Sequence, residues 1–120
     1  MAERKFDLVV FDWDGTLMDS TALIAAAIQA ACADLGVAVP SREQASHVIG
    51  LSLMGAVQTV APGLDEAGCL RLAELYRCHY VAGDHETVLF DGARELLEFL
   101  RDQGYLLAIA TGKSRRGLNR

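Results

Sequence analysis

No apolar run in this chain approaches the roughly 20 residues needed to cross a bilayer, and no signal-peptide pattern precedes the first strand-like segment at Phe6. A soluble protein is expected. Cysteine is scarce: Cys32, Cys69 and Cys78 are odd in number and form no C-x-x-C pair. That argues against a disulfide framework or a zinc site and fits a reducing cytoplasm. His47, His79 and His85 show no metal-ligand spacing either. Basic charge is also short, with 11 Lys and Arg against 16 Asp and Glu, a net charge of −5. Such a balance excludes nucleic acid and anionic membrane as main partners, so phosphate on a small ligand must be attracted locally. No internal repeat or low-complexity linker breaks the 120 residues, which suffice for one modest core.

Against this background one stretch stands out. The run Phe6 to Phe11 is short, apolar apart from Asp7 and rich in Val and Phe, as expected of a strand buried on both faces of a parallel sheet. Asp12 and Asp14 follow where that strand ends, and sites in open α/β sheets form outside the carboxyl ends of strands. Gly15 suits the close turn, since it takes positive φ without a Cβ clash. Two carboxylates so placed invite a division of labour. Asp12 as nucleophile would form an acyl phosphate, while Asp14 would protonate the leaving oxygen and later deprotonate water. Negative charge facing a phosphate requires a cation, and a hard divalent ion with oxygen ligands, Mg²⁺, is the natural choice. A D-x-D triplet alone also occurs in solvated turns and helix caps; the buried strand before it and the helix after it favour the catalytic pair.

Downstream, Ser20 or Asp19 is expected to cap an Ala-rich helix from about Thr21 to Leu35, with Ile24, Ile28, Ala31 and Leu35 on one face and Gly36 past its end. Ser41 to Gln44 has capping-box spacing and opens a second helix stopping near Gly50. A third runs from Ser52 to Val60, and Asp65 caps a fourth, about Glu66 to Ala82, carrying Leu70, Ala73, Leu75, Tyr76 and Tyr80. Four successive helices form a unit of their own. Asp91 then caps a helix bearing Ala93, Leu96, Leu97 and Leu100, Gly104 ends it, and Tyr105 to Ala110 reads as a second buried strand. Thr111 and Gly112 occupy its carboxyl end as Asp12 does on the first. If the strands are neighbours, the Thr111 hydroxyl and the N–H groups after it face a phosphate, helped by a helix beginning near Lys113.

Asp12-Trp13-Asp14-Gly15-Thr16-Leu17 followed by Asp19-Ser20 resembles the first motif of the haloacid dehalogenase superfamily, and Thr111-Gly112-Lys113-Ser114 resembles its second. The resemblance implies an α/β fold: a Rossmann-like parallel sheet core, incomplete here, over residues 1–18 and 86–120, with an α-helical cap inserted at 19–85. It implies that Asp12 accepts the phosphoryl group and that Asp14 is the general acid/base. Mg²⁺ would be held by the Asp12 carboxylate and the backbone carbonyl of Asp14. Gly15, Thr16, Thr111 and Gly112 would bind phosphate, and the cap loop Gly50-Leu51-Ser52, with Lys113, would face substrate. The helical cap is similar to that of phosphoglycolate phosphatases and β-phosphoglucomutases, so phosphatase and mutase activities both stay open. Asp91-Gly92 stands where relatives often carry Pro-Gly.

The third and fourth motifs of that family, a lysine and a set of acidic residues, have no counterpart in this sequence. Lys113 does not match the third motif by position; with Arg115, Arg116 and Arg120 it reads as a solvated basic face or a local attractor of phosphate. Two readings follow. One is a Mg²⁺-dependent phosphomonoester hydrolase resembling phosphoglycolate phosphatase, acting on a small phosphorylated metabolite, with this chain as a truncated portion whose activity alone stays open. The other is a non-catalytic module that binds metal or phosphate and works by self-association, as a homo-oligomer or swapped dimer, because a two-stranded remnant leaves sheet edges unpaired. A receiver-like phosphoacceptor has a similar length, but it alternates single strands and helices.

Overall fold

In the computed structural model, residues 4–120 are described. Strand β1 (Leu8–Phe11) leads into helices α1 (Thr21–Leu35), α2 (Arg42–His47), α3 (Leu53–Val60) and α4 (Glu66–Gly83). A 3₁₀ turn at Asp84–Glu86 precedes α5 (Ala93–Asp102), β2 (Leu106–Ile109) and the short α6 (Arg115–Leu118). β1 and β2 pair in parallel, Leu8 opposite Leu106 and Phe11 opposite Ile109. Asp12 and Ala110 therefore leave the ladder together, and Thr111 follows one residue later.

Local chemistry accounts for most helix ends. Ser41 and Gln44 close the expected capping box, the Ser41 side chain accepting from the Gln44 N–H and the Gln44 side chain from the Ser41 N–H. Ser52 and Asp65 accept from Gly55 and Gly68 at the starts of α3 and α4. Gly36 ends α1 in the left-handed region at φ 80°. Two expected caps are absent. Ser20 makes no capping bond to α1 because its hydroxyl is turned elsewhere, and the position before α5 is held by Gly92 at φ 84° rather than by Asp91. The last helix, expected near Lys113, begins at Arg115, where Ser114 supplies the cap, accepting from the Gly117 N–H.

The core belongs to the helices. Ile24, Ile28, Ala31 and Cys32 of α1 pack with Val57 of α3 and Cys69, Leu72 and Ala73 of α4. Leu72, only 2% exposed, stabilises this cluster by about 2 kcal/mol of apolar burial. Leu70, expected on the buried stripe, is exposed; the stripe of α4 runs instead through Cys69, Leu72, Ala73, Tyr76 and Tyr80, the 3–4 spacing of one helical face.

The strands depart from the expectation of burial on both faces. Leu8 and Val10 are 49% and 52% exposed, and Leu106 and Ile109 are 68% and 41% exposed. Two strands with α5 lying against β2 cannot cover both sides of a sheet, and α5 itself leaves Leu96 and Phe99 exposed. The radius of gyration, 16.9 Å, exceeds the roughly 14 Å of a compact domain of this length. Helical and sheet units sit end to end along a 59 Å axis.

The two connections between these units run side by side. Asp19 N–H donates to the Val88 carbonyl at 2.8 Å and Phe90 N–H to the Leu17 carbonyl at 2.9 Å, with an antiparallel bridge between Met18 and Leu89. This clasp fixes where the helical unit hangs over the carboxyl ends of β1 and β2. Among the described residues, no helix is long and apolar enough to cross a membrane.

Candidate active site

Beyond β1 the chain folds into a tight turn. The Trp13 carbonyl accepts from the N–H groups of Thr16, Leu17 and Met18 at 3.0–3.1 Å, and Gly15 N–H donates to the Met18 carbonyl at 2.9 Å. Gly15 sits at φ 79°, and a Cβ there would lie 2.8 Å from Thr21 Cγ2, so both conformation and space demand glycine. The expected phosphate ligands Gly15 and Thr16 thus spend their N–H groups inside the turn, which leaves only the Thr16 hydroxyl to offer a ligand.

The turn separates the environments of the two carboxylates. Asp12 is exposed, and its Oδ1 accepts from Trp13 N–H at 2.8 Å, which orients the group and leaves Oδ2 without a hydrogen-bond partner among the described residues. Asp14 is enclosed, its side chain 14% exposed. Its Oδ1 accepts from the fully buried Ser20 hydroxyl at 2.7 Å, and Lys113 Nζ stands 3.9 Å away. Ser20 therefore acts on Asp14 rather than on the helix. The Ser20 hydroxyl donates to the carboxylate in a charge-assisted bond, and in that orientation its oxygen accepts from no N–H of α1.

From β2, Thr111 Oγ1 accepts from Lys113 N–H at 3.1 Å, folding the segment back so that Lys113 enters the cleft. Lys113 is not part of a solvated face: its side chain is 14% exposed and Nζ donates to the Tyr80 hydroxyl at 2.8 Å. Arg115 and Arg116 are exposed as expected. Arg120 pairs with Asp84 at 2.7 Å, and that hydrogen bond holds the Asp84 carboxyl below its usual range.

The helical unit closes the other side. A Cβ on Gly112 would lie 2.6 Å from the Leu51 carbonyl oxygen and 2.9 Å from that of Gly50, so the loop Gly50-Leu51-Ser52 rests backbone to backbone on the turn after β2. Asp14, Gly50, Ser52, Thr111, Gly112 and Lys113 line one large cleft, whose helical wall includes Ile28, Met54, Tyr76 and Tyr80. Asp12, Gly15 and Thr16 are outside that lining, at the strand end. Burial pushes the Tyr76 phenol above its usual range, with Tyr80 and Asp14 adding to the effect, so Tyr76 stays a neutral donor. Tyr80 is the site residue that sequence patterning counted as core; the pairing of Tyr76 and Tyr80 one helical turn apart, in a chain with 7% aromatics, was the available signal.

Among the described residues no three His, Cys, Asp or Glu side chains cluster. The oxygens of Asp12 and Asp14 are nevertheless a hard donor set that suits Mg²⁺, an ion usually held by one or two carboxylates with water and substrate phosphate.

Residues 9–120 match the family of haloacid dehalogenase-like hydrolases. A 5'-nucleotidase from Pseudomonas aeruginosa is 38% identical over 114 residues, 93% of this chain and 51% of that protein. A phosphoglycolate phosphatase from Aliivibrio fischeri is 37% identical over 117 residues, 88% of this chain and 50% of that protein. The crystal structure of a hydrolase from Pseudomonas syringae superposes with a TM-score of 0.87 at 25% identity, covering 96% of this chain and 53% of that one. The chain spans about half the length of these relatives.

Proposed function

The chain belongs to the family of haloacid dehalogenase-like hydrolases, and on that footing we propose that the protein hydrolyses small phosphate monoesters through an aspartyl phosphate on Asp12. Residues 1–18 and 86–120 are the core in this reading and residues 19–85 the cap. The observation that carries it is the parallel register of β1 and β2, which brings the Asp12-x-Asp14 turn and Thr111 to one end of the sheet, under the loop at Gly50. Relatives named 5'-nucleotidase and phosphoglycolate phosphatase support a phosphate ester as substrate.

In the first step the exposed Asp12 carboxylate attacks phosphorus. A bond forms from carboxylate oxygen to phosphorus, and the bond from phosphorus to the ester oxygen breaks. Asp14, oriented by Ser20, gives its proton to the departing oxygen. Water then attacks the phosphorus of the acyl phosphate, Asp14 takes its proton, and Asp12 is released with inorganic phosphate. Thr111 and Lys113 hold phosphoryl oxygens. Mg²⁺ would rest on Asp12 and Asp14 and neutralise charge on the transferring group. The loop at Gly50 and Ser52 excludes water from the cleft.

The test is phosphate release from p-nitrophenyl phosphate and phosphoglycolate by the protein at its natural length, with Mg²⁺ and after chelation. Metal-dependent release supports the proposal, and a folded protein that turns over no phosphate ester refutes it. Closure adds a second expectation. Gly112→Ala introduces a Cβ against the Leu51 carbonyl, unseats the cap loop, and lowers kcat/KM by about 10²-fold, as misplacements near 1 Å do; unchanged kinetics would show that this contact is not part of the working state.

The open apolar faces of β1, β2 and α5 favour a further reading, in which the 120 residues alone self-associate. A swapped or paired dimer would cover Leu8, Val10, Leu106 and Phe99. Sedimentation of the isolated chain decides it: a strict monomer at all concentrations removes this reading.

A further inference from the structure

Lys113 and Tyr80 join the two units of the molecule through side chains that the reaction above leaves without a stated relation. Tyr80 lies near the end of α4, and Lys113 lies in the turn after β2. The ammonium donates to the Tyr80 hydroxyl at 2.8 Å, stands 4.2 Å from the centre of its ring, and has Asp14 Oδ1 3.9 Å away. A lysine head is strongly hydrated and its stem flexible, so an ammonium withdrawn from water needs such partners. The next residue back, Gly112, touches the backbone of Leu51 and Gly50. Helical and sheet units thus meet at two adjacent positions, one by close backbone packing and one by a charged hydrogen bond.

We propose that Tyr80 is a positioning residue for Lys113, and that the pair latches the helical unit onto the turn after β2, so that the cation stands beside Asp14 and Thr111 only while the cleft is shut. Opening the cleft frees Lys113 into solvent and dismantles the positive end of the site. A substrate phosphoryl group entering between Asp14 and Thr111 meets a cation already in place, and the latch couples its binding to closure. The consequence for turnover rests on the phosphatase reading given above; the placement of Lys113 does not.

Lys5 and Lys113 are the two lysines of this chain, and Lys5 is exposed, which supplies an internal control. Limiting acetylation of the natural-length protein, read by peptide mass spectrometry, labels Lys113 several-fold more slowly than Lys5. Tyr80→Phe, which keeps the ring, removes part of that protection, and Tyr80→Leu removes nearly all of it. Equal labelling of Lys5 and Lys113 in the unaltered protein, or full protection of Lys113 in both variants, overturns the latch. In the kinetic arm, Tyr80→Phe raises KM about tenfold with little change in kcat. Lys113→Met does at least as much, and the double variant is no worse than Lys113→Met alone. Multiplying losses would show that Tyr80 acts elsewhere and would also overturn the proposal. Absence of any phosphatase activity in the unaltered protein would sink the functional reading instead, and the labelling arm would still decide the latch.

Discussion

Asparagine in place of Asp12 abolishes turnover of the natural-length protein, by at least about 10⁴-fold in kcat, as removal of a covalent nucleophile does. An amide oxygen cannot form an acyl phosphate that water then cleaves, so both steps lose their common intermediate. The substitution is otherwise mild. Asp12 is exposed and, among the described residues, its one hydrogen bond is an accepted N–H from Trp13, which an asparagine oxygen also accepts. Circular dichroism and thermal midpoint should therefore stay unchanged while kcat collapses. Activity within tenfold of the unaltered protein would remove Asp12 from the nucleophile's role.

Asp14→Asn produces a different pattern. An alkyl phosphate needs its leaving oxygen protonated, so its turnover falls by about 10²–10⁴-fold with the general acid gone. p-Nitrophenolate leaves without a proton, so transfer to Asp12 proceeds. Hydrolysis of the acyl phosphate still lacks its base, and p-nitrophenol then appears as a burst of one equivalent followed by slow release. The variant keeps its acceptor for the Ser20 hydroxyl, so the turn after β1 holds its shape; Lys113 loses a charged neighbour and keeps Tyr80. Equal losses for both substrates without a burst would contradict the role given to Asp14.

The parts of this site that sequence alone revealed are local ones. Phe6 to Phe11 and Tyr105 to Ala110 read as strands because short apolar runs bounded by turn residues have few alternatives, and the carboxylates and Thr111 stand at the strand ends that follow. Capping at Ser41 and Asp65 was legible because a cap is a contact between residues three apart. Ser20 was not, since its hydroxyl can either cap the helix by accepting from an N–H or donate to a carboxylate, and only the folded turn brings Asp14 Oδ1 to 2.7 Å. Lys113 and Tyr80 are 33 residues apart, and no periodicity links a turn lysine to a helix tyrosine across that distance. Exposure of Leu8, Val10 and Leu106 was illegible for a related reason: apolar runs report what a strand is built to bury, whereas exposure depends on which partners lie beside it. The same runs explain how 96% of the chain superposes closely on about half of a larger hydrolase while the sheet's faces stand open.

The claim that Asp12 carries the phosphoryl group is tested most directly by trapping it. Natural-length protein mixed with substrate and Mg²⁺, quenched during turnover, and reduced with borohydride is predicted to yield homoserine at position 12, because an acyl phosphate is reduced where a free carboxylate is not. Steady release of phosphate with Asp12 recovered unreduced in every quenched sample would contradict the account.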